Sequence, residues 1–149
     1  ALLDELFFLS LIKPSGFYNT KAKRLKTLCK AIMEEFGSFD DFCAQVDRDW
    51  LLAQKGIGEE SADSILCYAC GRESMVVDAY TARLLFALGY EFDDYLSIQA
   101  WLVEGISQNY HKLEEISLNE VYALFHGEIV EFCKKNSKGK IVNVDVLGF

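Results

Sequence analysis

Residues 51–80 read LLAQKGIGEESADSILCYACGRESMVVDAY, and this stretch decides how the chain folds. Asp47 is placed to cap a short apolar helix over Arg48 to Gln54, which runs into Lys55-Gly56-Ile57-Gly58. A second helix follows from Glu59 to Cys70, with Ala62, Ile65, Leu66 and Ala69 at i, i+3, i+4 and i+7. Gly71 closes it. Met75-Val76-Val77 is a short apolar entry, and Asp78, 20 residues after Gly58, opens a further helix to Leu88.

Gly56 and Gly58 lack a Cβ, so the backbone there can take positive φ and approach a ligand closely. Ile57 between them can plug into the core. Glu59, Glu60 and Ser61 open the next helix, where unpaired N–H groups and the helix dipole favour an anion. Such a turn holds a phosphate without needing Lys or Arg. Glu59 and Glu60 suit the dipole, provided their side chains point away from the phosphate. A lone Gly-x-Gly is equally an ordinary tight helix–helix connection, so the turn alone leaves both readings open.

Outward from this stretch the pattern stays helical. Leu2 to Lys13 reads as a helix stopped near Pro14 and Gly16. Asn19 caps the next, which lines up Ala22, Leu25, Cys29, Ile32 and Phe36 and ends at Gly37. Ser38 opens a brief helix to about Val46. Tyr95 to Gln108 and Leu118 to Lys135 are two more, the last with Leu118, Val121, Phe125, Ile129 and Phe132 as its buried stripe. The tail Ile141-Val-Asn-Val-Asp-Val146 alternates like a strand. The expected fold class is all-α, a bundle of about eight helices with short connections in a single domain over 1–149.

At 51% apolar and 13% aromatic, the 149 residues are enough to build a real core. No apolar run reaches the roughly 18 residues of a membrane span, and no signal peptide is visible. The chain opens without Met, so it is expected to begin inside a longer protein. A net charge of −8 argues against a non-specific DNA coat. The basic residues are nevertheless grouped. Lys13, Lys21, Lys23, Arg24, Lys26 and Lys30 come with no acid among them, and Lys134, Lys135, Lys138 and Lys140 follow near the end. Each group is either a solvated face or the flank of a nucleic-acid surface. The five cysteines form no secreted disulfide framework, which suggests reduced thiols and a cytoplasmic location. Cys67 and Cys70 make a C-x-x-C without a second pair, and read as helix core rather than a metal site.

Several segments together resemble the helix-hairpin-helix DNA glycosylases of the endonuclease III superfamily. The hairpin of that family runs roughly L-P-G-[VI]-G-x-x-[ST]-A, and residues 56–62 (GIGEESA) match it, with Lys55 in place of the proline. Val76-Val77-Asp78-Ala79-Tyr80 matches its catalytic segment. The 3-methyladenine glycosylase branch is most similar, on residues 13–25 (KPSGFYNTKAKRL), 54–63 (QKGIGEESAD) and Phe125-His126-Gly127. The likeness covers nearly the whole chain, with the hairpin motif at 48–70.

The resemblance implies a base-excision enzyme acting on double-stranded DNA with alkylated bases. Its hairpin residues Lys55, Gly56, Ile57, Gly58, Glu59 and Ser61 would hold DNA. Asp78 would be the catalytic carboxylate, stabilising an oxocarbenium-like state and serving as base for water. Read without the family, Asp78 is equally an N-cap; its offset from Gly58 favours catalysis. Phe17, Tyr18 and Tyr80 are candidates for stacking a flipped base, with His126 and Glu128 near the back of the pocket. Most aromatics at helical spacing are core, His126 also reads as a core histidine, and Glu128 also reads as a surface acid.

Relatives that also cut the backbone carry a lysine two residues after the second hairpin glycine. Glu60 stands there, which implies a glycosylase without lyase activity. Only Cys133 follows His126-Gly127, so no iron–sulfur cluster and no other cofactor is expected. Family members often hold a monovalent cation on hairpin carbonyls. Two or three helices normally precede the segment at Leu2, so this stretch is expected to be part of a longer enzyme. A non-catalytic helix-hairpin-helix module that only docks on DNA is the rival reading, and a helical protein–protein adaptor is a third.

Overall fold

The computed structural model describes residues 2–110 and 116–148, with side chains from Phe7 onward. Eight α-helices form its described part, as expected from the sequence: α1 (Leu2–Ile12), α2 (Tyr18–Phe36), α3 (Phe39–Gln45), α4 (Arg48–Ala53), α5 (Glu59–Ser64), α6 (Ala79–Ala87), α7 (Tyr95–Asn109) and α8 (Leu118–Asn136). Among the described residues no helix is long and apolar enough to cross a membrane. The chain separates into two compact units, 1–57 and 58–149, and the division falls inside the Gly56-Ile57-Gly58 turn.

The first unit holds α1 to α4. Its core is Ala22 and Ile32 of α2 with Phe42, Val46 and Leu51. Phe36, Phe42 and Trp50 stack edge-on, with ring centroids 5.0–5.9 Å apart, a geometry that adds to simple area burial. Ser38 caps α3, its Oγ accepting from the Asp41 N–H at 3.0 Å. Asp47 caps α4, accepting from the Trp50 N–H at 2.7 Å. Two expectations change in α2. Its cap is Phe17, held at φ 46°, and Asn19 lies inside the helix, because the 3₁₀ turn over Lys13–Ser15 ends at Gly16 and starts α2 earlier. Leu25 and Cys29 are exposed rather than buried, Leu25 lining a cavity of about 240 Å³ instead of core.

In the second unit the helix begun by α5 widens into a π-helix over Ile65–Ala69, where the Cys70 N–H reaches the Ile65 carbonyl. The core joins Cys67, Met75, Val76, Val77, Leu85, Ile98, Leu102 and Tyr122. In α8 the buried residues are Val121, Tyr122, Ile129 and Cys133, while Phe125 is exposed. The stripe is rotated from the expected one because Tyr122 and Cys133 take core positions. Beyond α8, Ser137–Lys138 (β1) and Ile141–Val142 (β2) pair antiparallel. The strand expected in the tail is thus two residues long, and its Val142 packs with Ile129 and Cys133 against Leu84 and Ala87 of α6.

Candidate active site and nucleic-acid interface

The Gly-x-Gly turn is asymmetric. Gly56 sits at φ +89°, and a Cβ there would lie 2.6 Å from the Arg24 side chain. Glycine is therefore favoured by conformation, while the exposed Arg24 side chain could swing aside to admit a Cβ. Gly58 is extended, at φ −105° and ψ −177°, and caps α5. The positive φ expected at both glycines holds only for Gly56. At Gly58 nothing lies within 4 Å of a would-be Cβ. Lys55, Gly56, Gly58 and Ser61 are exposed; Ile57 and Glu59 are half-buried.

Within the first unit, cations surround this turn. A cavity of about 410 Å³ is lined by Asn19, Thr20, Lys23, Arg24, Thr27 and Lys55. The smaller cavity of about 240 Å³ beside it is lined by Lys21, Arg24, Gln54, Lys55 and Gly56 among others. The basic run of α2 is thus sorted by face. Lys23 and Arg24 border the turn, whereas Lys26 lies 5.9 Å over the Phe8 ring and Lys30 pairs with Glu34 at 3.5 Å.

In the second unit the backbone leading to Asp78 is pinned by a buried aspartate that sequence reasoning did not single out as functional. Asp63 is 1% exposed. It accepts hydrogen bonds from the Ser74 hydroxyl at 2.7 Å, the Tyr95 hydroxyl at 2.7 Å and the Gln99 amide at 3.1 Å. Gln99 also donates to the Met75 carbonyl at 2.6 Å, and the Val77 N–H donates to the Tyr95 oxygen at 3.2 Å. Side chains thereby satisfy the polar backbone of a buried extended segment that has no sheet partner. The available clue was an acid among the apolar residues of the second hairpin helix.

That segment delivers Asp78. Oδ1 accepts from the Thr81 N–H at 2.8 Å and from the Thr81 hydroxyl at 3.0 Å, an N-cap in the ordinary sense. Oδ2 faces His126, whose Nε2 lies 3.6 Å away. Cap and carboxylate site are therefore the same residue, one oxygen serving each. Burial pushes the Asp78 carboxyl up, but His126 and the two Thr81 donors outweigh it and hold it below its ordinary value. The Nδ1 of His126 lies 2.6 Å from the Tyr68 hydroxyl, which is also 3.3 Å from the Ala123 carbonyl. Tyr68, in the π-helix, was not among the expected site residues.

The remaining expected residues fall elsewhere. Tyr80 packs against the cluster of Ile129, Cys133 and Val142, with the Arg83 guanidinium 5.8 Å over its ring. Glu128 is exposed and is not among the groups acting on Asp78. In the first unit, Phe17 is 89% exposed on a left-handed backbone, and Tyr18 is half-buried. Cys67 and Cys133 are buried, and burial raises both thiols. Among the described residues no cluster of His, Cys, Asp or Glu could hold a metal ion.

Comparison with known proteins now bears on this geometry. The HhH-GPD superfamily of base excision DNA repair proteins matches residues 1–94, which include the Gly56–Gly58 turn and Asp78. The chain belongs to the HhH-GPD superfamily. A solved structure of this kind, the Helicobacter pylori 3-methyladenine DNA glycosylase MagIII bound to 1,N6-ethenoadenine, superposes with a TM-score of 0.83 at 48% identity. The match covers 87% of this chain and 63% of that one. A candidate DNA repair glycosylase of Methanocaldococcus jannaschii, MJ1434, is 40% identical over 93% of this chain and 62% of its own length. Endonuclease III of Bacillus subtilis is 33% identical over 52% of this chain and 34% of its own. The chain thus spans about three fifths of MagIII and MJ1434.

Proposed function

We propose that the protein carrying this chain is a monofunctional DNA N-glycosylase. It flips alkylated purines such as 3-methyladenine out of duplex DNA and hydrolyses the N-glycosidic bond. The observation that carries this reading is Asp78: an ionised carboxylate anchored through one oxygen by Thr81, its other oxygen turned to His126. Such a group suits an oxocarbenium-like state, because its charge is fixed in place before the reaction. An alkylated purine is already cationic and leaves without a strong acid, so one carboxylate is sufficient.

Residues 55–61 would grip backbone phosphates through N–H groups, with Lys55 beside them. A monovalent cation on backbone carbonyls of the turn belongs to the same proposal and takes no part in the chemical step. Glu60, where bifunctional relatives have lysine, cannot form a Schiff base, so the product is an intact abasic site. No iron–sulfur cluster is proposed, since Cys133 lies in the core rather than in a ligand loop. The five cysteines are free thiols, in keeping with a cytoplasmic enzyme.

The test uses the full-length protein and its Asp78→Asn variant on duplexes bearing 3-methyladenine or 7-methylguanine. Base release is expected to fall about 100-fold or more in the variant, while duplex binding persists. Borohydride is expected to trap no covalent adduct. Binding without release by the wild type would identify a DNA-docking module instead.

A further inference from the structure

The Tyr68, His126 and Asp78 side chains stand in a row whose protons can be counted. A neutral imidazole carries one N–H and a phenol one O–H. His126 Nε2 is buried and makes no hydrogen bond among the described residues; its nearest acidic neighbour is Asp78 Oδ2 at 3.6 Å. His126 Nδ1 is 2.6 Å from the Tyr68 oxygen.

Two neutral arrangements are available. In one, the Tyr68 hydroxyl donates to Nδ1 and the imidazole proton sits on Nε2, directed at the carboxylate. In the other, Nδ1–H donates to the Tyr68 oxygen, whose proton turns to the Ala123 carbonyl 3.3 Å away. A bare Nε2 lone pair would then face an anion from 3.6 Å. Both arrangements keep the 2.6 Å hydrogen bond between Nδ1 and the Tyr68 oxygen, and only the first sets a positive edge against the negative oxygen. The second adds only the long contact to the Ala123 carbonyl and opposes like charge at Nε2, which decides between them.

We infer that Tyr68 is a positioning residue for the proposed reaction: its hydroxyl fixes the Nε2–H tautomer of His126, and that N–H orients Asp78 Oδ2. The inference rests on the glycosylase reading only for its effect on rate; the tautomer itself is independent of it. Nearby titratable groups are Cys133 on α8, Arg83 on α6 and Cys67 beside Tyr68. The π-helix supplies the placement, since its wider turn breaks the 3.6-residue register just where Tyr68 emerges. Short π segments of this kind recur at functional sites.

The test is a Tyr68→Phe substitution in the full-length protein with ¹⁵N-histidine labelling, His126 being assigned by loss of its signals in a His126→Gln variant. In the wild type at neutral pH, His126 is expected to show a pyrrole-like Nε2 and a hydrogen-bonded, pyridine-like Nδ1. In Tyr68→Phe the two nitrogens should move toward the averaged shifts of mixed tautomers. Single-turnover base release should fall about 3- to 10-fold, with duplex Kd unchanged. A pure Nε2–H tautomer persisting in Tyr68→Phe would overturn the inference, as would a wild type already holding Nδ1–H. Loss of duplex affinity in parallel with rate would assign Tyr68 to binding instead and also overturn it. If the wild type releases no base while the tautomer shifts as expected, the glycosylase reading fails and the positioning stands.

Discussion

Residues 1–57 bury aromatic and aliphatic side chains and leave Lys23, Arg24 and Lys55 on the surface around Gly56. Residues 58–149 bury a carboxylate, Asp63, and a hydroxyl, Thr81, and build hydrogen-bonded order from them. The first part gains its order from shape: Phe36, Phe42 and Trp50 edge to edge, with capped short helices around them. The second must hold a particular oxygen of Asp78 in a particular direction. Apolar contact is non-directional, whereas hydrogen bonds fix angles. Under the proposed function, the first surface would grip a polyanion and tolerate mobile lysines, whereas the carboxylate of the second would have to meet a developing cation and would not.

The largest blow to this contrast should come at Asp63. Asp63→Ala strips an acceptor from Ser74, Tyr95 and Gln99 together. Gln99 keeps the Met75 carbonyl, but the half-buried Ser74 and Tyr95 donors each lose an acceptor at about 1–3 kcal/mol, so a loss of about 3 kcal/mol is expected in chemical denaturation. If the variant unfolds at the wild-type midpoint, the interior of residues 58–149 is not organised by this network. Next comes Gly56→Ala, where the positive φ strains any residue that carries a Cβ. A stability loss of about 1–3 kcal/mol is expected, with weaker duplex binding measured by anisotropy.

A smaller effect, about 1 kcal/mol or several-fold in Kd, is expected for Arg24→Gln. It should lower the slope of log K against log salt by about 1. Lys30→Gln, on the same helix but paired with Glu34, should leave both affinity and slope unchanged. Equal effects at the two positions would mean that the basic run acts as diffuse charge, not as a face.

The smallest effect is electrostatic. The folded-state carboxyl of Asp78 lies below its ordinary 3.8, so it contributes stability that is fully present above that value. That contribution is lost as pH falls from there through the lowered folded value. Melting curves across this range should fall more steeply for the wild type than for Asp78→Asn. Parallel curves would show that Asp78 is not held ionised by its neighbours.

Much of this was legible in the residues themselves. The caps at Ser38 and Asp47 follow from local chemistry, because an N-cap needs only its own turn. The all-α class follows from helical spacing, and the cap at Asp78 from its place between an apolar run and a helix. The errors arose where three-dimensional context overrides periodicity. Phe125 fits the 3.6-residue stripe of α8, but Tyr122 and Cys133 fill the core instead. Leu25 fits the stripe of α2 and borders a cavity. Asp63 carries no local signal of its role, because its meaning comes from Ser74, Tyr95 and Gln99, up to 36 residues away. Tyr68 was hidden for a related reason: spacing arguments assume a regular helix, and the π segment is where that regularity fails.

That segment also bears on how such a chain can change by inheritance. A π turn is in effect one residue too many for its helix, so removing a single residue between Ile65 and Ala69 could restore an ordinary α-helix. The residues on either side would keep their places, and those within the widened turn would swing relative to them. Tyr68 would leave His126 without any substitution at either position. One codon lost or gained there is a discrete toggle between a chain that has this contact and one that lacks it. Comparing segment lengths between Ser64 and Gly71 in related chains would show on which side of that toggle each one sits.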